Sequence, residues 1–225
     1  MKEALTRFIA ARHLDPATRM GEILFGLIMT LTFTLGASMI VTQQGREGAR
    51  EMLIATLGCN AAWGLIDGIF YILGQLFERS RLHRVGDRVK HANTPEAARA
   101  LVADELDDLL ANVVIEADRA AMYDSIAARL RREPLPRNRV TKEDLAGGLW
   151  AGVLVFACSL PVALPFLLIS DPHAALRVSN ALLLVLLFLA GYRFAKDTMA
   201  YPWLTGVVFL IFGLVLVLIN IVLGG

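Results

Sequence analysis

The sequence predicts an all-α, polytopic membrane protein: five transmembrane helices, with a cytoplasmic helical insertion between helices 2 and 3. Three observations predict it. The chain is 56% hydrophobic with a mean hydropathy of +0.56, too apolar for an ordinary soluble domain. Its apolar residues gather into five runs, each near the ~20 residues that cross a bilayer. Its net charge is only +1, yet charged residues crowd into 78–148 and avoid the rest.

The runs are 21–42, 52–77, 147–170, 176–193 and 203–223. They divide the chain into an N-terminal segment (1–20), helices 1 and 2 (21–77), the insertion (78–146) and helices 3 to 5 (147–225). The first run is long and no small-residue cleavage site follows it, so it reads as a retained span. Runs one and two are rich in Gly, Ala, Ser and Thr, which allow close helix approach, and are expected inside the bundle. The third holds Pro161 and Pro165, each expected to kink it. Runs four and five are rich in Leu, Val and Phe and are expected to face lipid. Cys59 and Cys158 both lie in apolar runs and read as small core residues, not as a disulfide or metal pair.

Orientation follows from Lys and Arg. With five crossings, 19 of the 22 fall on the side of the N-terminus and three on the other. The positive-inside rule then puts the N-terminus and the insertion in the cytoplasm, and the C-terminus outside the inner membrane. The stretch ALTRFIAARHL (4–14) alternates apolar and basic residues at helical spacing and suits the membrane surface. Asp15-Pro16 supplies an N-cap and a first-turn proline for helix 1.

Within the insertion, Thr94-Pro95-Glu96 is a helix start. Val102, Leu106, Leu109 and Val113 form an apolar stripe, and Ala117, Ala121, Ile126 and Leu130 a weaker one. Arg129, Arg131 and Arg132 close the second helix before Pro134 and Pro136. Thr141 to Asp144 reads as a capping box leading into span three. Asp104, Glu105, Asp107 and Asp108, with Glu116 and Asp118, form an acidic group. Clustered carboxylates suit hard divalent cations; a solvated helix face explains the same pattern.

The sharpest anomaly is GCNAAWGLIDGIFYIL, residues 58–73. Asn60, Gly64, Asp67, Tyr71 and Gly74 are spaced 4, 3, 4 and 3 apart and line one helix face. An ionised group in the bilayer core is costly and persists with a partner or a role. Asp67 is therefore the leading functional residue, against a structural carboxylate bonded to a threonine of span one. Counted from the span ends, Met29 lies roughly 12 Å and Asp67 roughly 15 Å deep. On antiparallel neighbours they would meet, and a thioether with a carboxylate suits a partly soft ion such as Fe²⁺. Glu22 and Glu78, near the cytoplasmic ends, would draw cations to the mouth.

Three features carry a family resemblance. They are Gly21-Glu-Ile-Leu-Phe-Gly26 at the start of span one, the order of two spans, helical insertion and three spans, and Leu160-Pro-Val-Ala-Leu-Pro-Phe166 in span three. In these the chain resembles the vacuolar iron transporter (VIT-like) family of iron and manganese exporters. The resemblance implies a homodimer, a pore between first helices, and proton-coupled transport of Fe²⁺ or Mn²⁺ out of the cytosol. It also implies metal collection by insertion carboxylates, here Glu105, Asp108 and Glu116. The family usually has Asn-Asp-Gly in span one, where this chain has Ile28-Met29-Thr30. It usually has Ser-Met in span two, where Asp67-Gly68 stands. Met29 and Asp67 would restore the same pair with the helices exchanged.

The expectation is thus a proton-coupled divalent metal exporter, with Asp67 on the path and Met29 and Asn60 lining it. The metal is cargo, with no permanently bound cofactor, and the partners are lipid and a second copy, not nucleic acid. The alternatives are a non-transporting membrane protein whose cytoplasmic helices bind a partner, and a transporter of another solute. No nucleotide loop, zinc spacing or nucleophile motif suggests an enzyme.

Overall fold

The structure is a computed structural model that describes residues 14–135 and 138–222. The stretch 4–13 and Pro136 lie outside the described residues. All described secondary structure is helical: α1 (Pro16–Gly36), α2 (Ser38–Gln44), α3 (Arg46–Lys90), α4 (Pro95–Leu110), α5 (Glu116–Arg132), α6 (Lys142–Ala157), α7 (Leu160–Leu168), α8 (Pro172–Thr198) and α9 (Pro202–Val222). Five stretches are long and apolar enough to cross a membrane: α1, α3, α6 with α7, α8 and α9. The chain divides into two compact units. One comprises residues up to Ile72 and from Lys142 onward; the other is Leu73–Thr141.

In the first unit, the helix starts are written in the sequence. Asp15 caps α1, its carboxylate accepting from the Ala17 and Thr18 amides at 3.0 Å each. Asp171 caps α8 by accepting from the Ala174 amide at 2.8 Å. Pro16 and Pro172 occupy the first turns, where a missing N–H costs nothing. Gly45 takes φ +58 between α2 and α3, a conformation open to glycine without a Cβ clash. Beside it, a side chain at Gly48 would strike the Ile40 carbonyl.

The third span is broken rather than kinked. α6 ends at Ala157 and α7 starts at Leu160. Pro161 has no N–H to offer the Ala157 carbonyl, so the ladder stops there. The Ser159 amide turns back to the Phe156 carbonyl at 3.0 Å, and its hydroxyl donates to the same oxygen at 2.6 Å. Pro165 stays inside α7, whose last turn closes with the Ile169 amide on the Pro165 carbonyl at 2.8 Å. Cys59 and Cys158 are free thiols, and Cys158 donates to the Ile23 carbonyl at 3.4 Å.

The core joins Leu27, Leu31 and Leu35 of α1 with Val162 of α7 and Leu183, Leu187 and Ala190 of α8. The apolar windows of α1 and α8 are each 39% buried inside the protein, against 11% for α9. The fourth span is therefore an interior helix, unlike the lipid-facing one expected. Its buried stripe, Ala175, Ser179, Leu183, Leu187, Ala190 and Ala195, hides small residues at helical spacing within a Leu-rich composition. α9 is the helix that exposes its Leu, Val and Phe side chains, as expected.

The second unit is built round a helical hairpin. Thr94 caps α4 by accepting from the Ala97 amide at 3.2 Å, with Pro95 in the first turn. Val89 packs with Ala98 and Val102 of α4 and Tyr123 and Ala127 of α5. The expected stripe holds at Val102 and Leu106 but fails beyond. Leu109, in the last turn of α4, is 72% exposed, and Val113, past the stop at Leu110 where the chain turns, is 80% exposed. On α5 the packed face is Tyr123, Ile126, Ala127 and Leu130, while Ala117 and Ala121 are exposed.

Candidate functional site

α3 is held against α6 by backbone rather than side chains. Gly64 and Gly68 meet Gly152 and Gly148: a Cβ at Gly64 would come within 2.5 Å of the Gly152 carbonyl oxygen, and one at Gly68 within 2.6 Å of that of Gly148. The clash is reciprocal, at 2.5 Å for Gly148 on Gly68 and for Gly152 on Gly64. Two small-xxx-small pairs thus let the helices touch. α1 reaches α6 the same way, since a Cβ at Gly26 would fall 2.8 Å from the Val155 carbonyl oxygen.

Asn60 ties all three helices. Its Nδ2 donates to the Thr30 hydroxyl at 2.7 Å, and lies 3.4 Å from the carbonyls of Gly26 and Val155. The Thr30 hydroxyl in turn donates to the Gly26 carbonyl at 2.6 Å. Both side chains are fully buried, so each polar atom needs such a partner. One turn along, Phe25 and Trp63 meet edge to face, ring centroids 5.6 Å apart. Beyond them, Asp67 comes close enough to Glu22 for the two charges to repel. The pairs 30 with 60, 25 with 63 and 22 with 67 define one antiparallel register.

That register answers the question raised by Asp67. Its neighbour on α1 is Glu22. Met29 is level with Asn60, seven residues from the level of Asp67, or about 10 Å along the axis. The depth count that paired Met29 with Asp67 started from hydropathic ends. The helices begin and end elsewhere: α1 starts at Pro16, not Gly21, and α3 runs to Lys90, not 77. Asp67 is half-buried, and its Oδ2 is enclosed without a hydrogen-bond partner among the described residues.

One turn further, the Tyr71 ring lies over Gly147, in the space a Cβ there would take. Its phenol is within electrostatic reach of Asp144 and Asp15. Asp144 is only 4% exposed. In sequence it closes the capping box that opens at Thr141; the signal of a buried role is its place one turn before Gly147-Gly148, on the face that meets α3. Asp15 is committed to its cap: the Thr18 hydroxyl at 2.5 Å and the Thr18 and Ala17 amides hold its carboxyl below the usual range. Carboxylates from α1, α3 and α6 with one phenol thus occupy the same end of this unit. Among the described residues, no three His, Cys, Asp or Glu side chains converge into a ready-made metal cage.

The remaining predicted residues lie in the second unit. Arg81 engages two of them, its Nη2 on Glu78 at 2.7 Å and its Nη1 on Glu105 at 2.5 Å. Asp108 and Glu116 are exposed and outside the ion pairs of the described residues. Asp107, beside them, accepts from Arg119 at 2.7 Å and from the Tyr123 hydroxyl at 3.0 Å. The acidic group is thus split between arginine-bound and solvated members.

No family model matches this sequence, and no curated protein matches it.

Proposed function

We propose that the chain is a proton-coupled carrier of a divalent cation, with Glu22 and Asp67 as its intramembrane site. The observation that carries this reading is the enclosed Oδ2 of Asp67, which has no hydrogen-bond partner among the described residues and lies within electrostatic reach of Glu22. Two carboxylates within electrostatic reach of each other in a poor solvent for charge call for a compensating positive charge. A proton and a metal ion are competing ways to supply it, and that competition couples their movements.

An all-oxygen pair suits hard ions, Mn²⁺ above softer metals. Met29 lies too far along α1 to add its thioether at that level. Tyr71 and Asp144 would extend the polar path toward one end of the unit, and Asn60 closes it on the other by binding three helices together. Export from the cytosol across the inner membrane, with Fe²⁺ or Mn²⁺ as cargo and a homodimer as the working form, rests on the VIT-like resemblance and the Lys/Arg asymmetry.

A specific feature favours a second reading, a non-transporting membrane protein that binds a partner. Leu109, Val113 and Ile115 at the α4–α5 connection are 72%, 80% and 69% exposed. A cluster of apolar side chains on a soluble hairpin marks an interaction surface.

Flux of Mn²⁺ and Fe²⁺ into proteoliposomes under a pH gradient separates the two. Carriage by the wild type, lost in Glu22→Gln and Asp67→Asn, supports the carrier. No flux from folded protein, with or without the gradient, moves the assignment to the partner-binding reading.

A further inference from the structure

At the other end of the first unit, α3 forms one wall of an open cleft of about 520 Å³. Its lining from α3 is Arg46, Ala49, Arg50, Leu53, Ile54 and Leu57, at i, i+3, i+4, i+7, i+8 and i+11: a single helix face. That face is graded. Arg46 and Arg50 line the cleft at the start of α3, and Leu53, Ile54 and Leu57 follow along the helix. The facing wall is apolar from Phe166 to Ile169 and continues into Ser170 and Pro172. Leu167 and Leu168 are 78% and 82% exposed, and Ile54 59%, so the protein itself leaves these walls uncovered. Arg50 makes a 3.3 Å contact with Glu47 in solvent, while Arg46 has no ion pair among the described residues.

We infer that this cleft binds one phospholipid with an anionic headgroup, its phosphodiester at Arg46 and Arg50 and one acyl chain along Leu53, Ile54, Leu57 and Phe166. The chemistry is that of an amphiphile: a cationic pair fixes the head, and the chain covers apolar surface. A guanidinium is well suited to the head, because its planar fork matches phosphate oxygens. The site stands apart from the Glu22–Asp67 pair, seventeen residues or about 25 Å along α3 from Arg50. It does not depend on whether the chain moves ions.

The test is native mass spectrometry of the full chain, titrated with phosphatidylglycerol or with phosphatidylcholine of the same acyl chains. One phosphatidylglycerol per chain is expected to bind saturably and in preference to phosphatidylcholine. The double variant Arg46→Gln/Arg50→Gln should weaken it roughly thirtyfold, and Arg46→Lys/Arg50→Lys should keep most of it. Ile54→Trp, which fills the apolar wall without touching charge, should weaken it as well. Equal binding of both lipids, or unchanged binding by the Gln variant, overturns the inference. So does full displacement by millimolar inorganic phosphate, which would make the arginines a plain anion site.

Discussion

The Asn60 amide donates to the Thr30 hydroxyl at 2.7 Å within a fully buried junction of α1, α3 and α6. This bond fixes the depth at which α1 meets α3, and with it which side chains oppose each other at every level above and below. Replacing Asn60 by Ala leaves Thr30 its bond to Gly26 but removes the tie between helices. A loss of about 1 kcal/mol is expected, the usual worth of an interhelical hydrogen bond in a membrane. A lower Tm in detergent for Asn60→Ala, with Cys59→Ala as a neighbouring control, checks it.

Glycine matters at Gly64, Gly68, Gly148 and Gly152 because backbone occupies the place of a side chain. Gly152→Val should force α6 off α3 and abolish the monodisperse peak in fluorescence-detected size exclusion. Gly74→Ala should be neutral or slightly stabilising, since nothing lies within 4 Å of a Cβ there and Ala favours the helix. Equal behaviour of the two variants would contradict the crossing.

Acid should loosen the start of α1. The Asp15 carboxyl is held below its ordinary value, first by the Thr18 hydroxyl. A depressed group contributes stability that is present above its unfolded pKa and is lost as pH falls through the folded one. The affected window thus lies below about pH 4. Asp15→Asn keeps a competent cap but cannot titrate, so its unfolding curve should be flatter there than the wild type. Asp15→Ala should lose about 1 kcal/mol at neutral pH as well.

In the second unit, Arg81 competes with any cation for Glu78 and Glu105. Arg81→Gln should therefore tighten the calorimetric binding of Mn²⁺ to the full chain. The further change Glu105→Gln should undo the gain. Unaltered binding in both would remove these two acids from metal collection.

The helix starts were legible because capping is local chemistry. Asp15-Pro16 and Thr94-Pro95 each open a helix as such pairs should, whereas the same signal at Asp171-Pro172 lay ahead of the apolar run that marked the fourth span. Asp67 was legible too, as a carboxylate among apolar residues. Its partner was not. Depth had been counted from hydropathic boundaries, whereas α1 begins five residues earlier, at its cap. A seven-residue error in register moved the pair from Glu22 to Met29. The end of α4 escaped for another reason: neither Gly nor Pro follows Leu110, so the apolar pattern through Val113 gave no stop. Asp144 was hidden by position, since an acid in a first turn has a ready explanation that needs no burial.

Contact between backbones has a mechanical consequence. At Gly26, Gly64 and Gly68, α1 and α3 come directly onto backbone carbonyls of α6. These three helices resist sliding, because any shift along an axis drives the next residue's Cβ into a carbonyl. α9 meets α8 differently, through ring knobs such as Phe209 over Gly191 and Phe188 over Gly206, and rings can re-seat. Glu22 and Asp67 therefore ride on a stator. The ring-packed joint between α8 and α9 is the more yielding one.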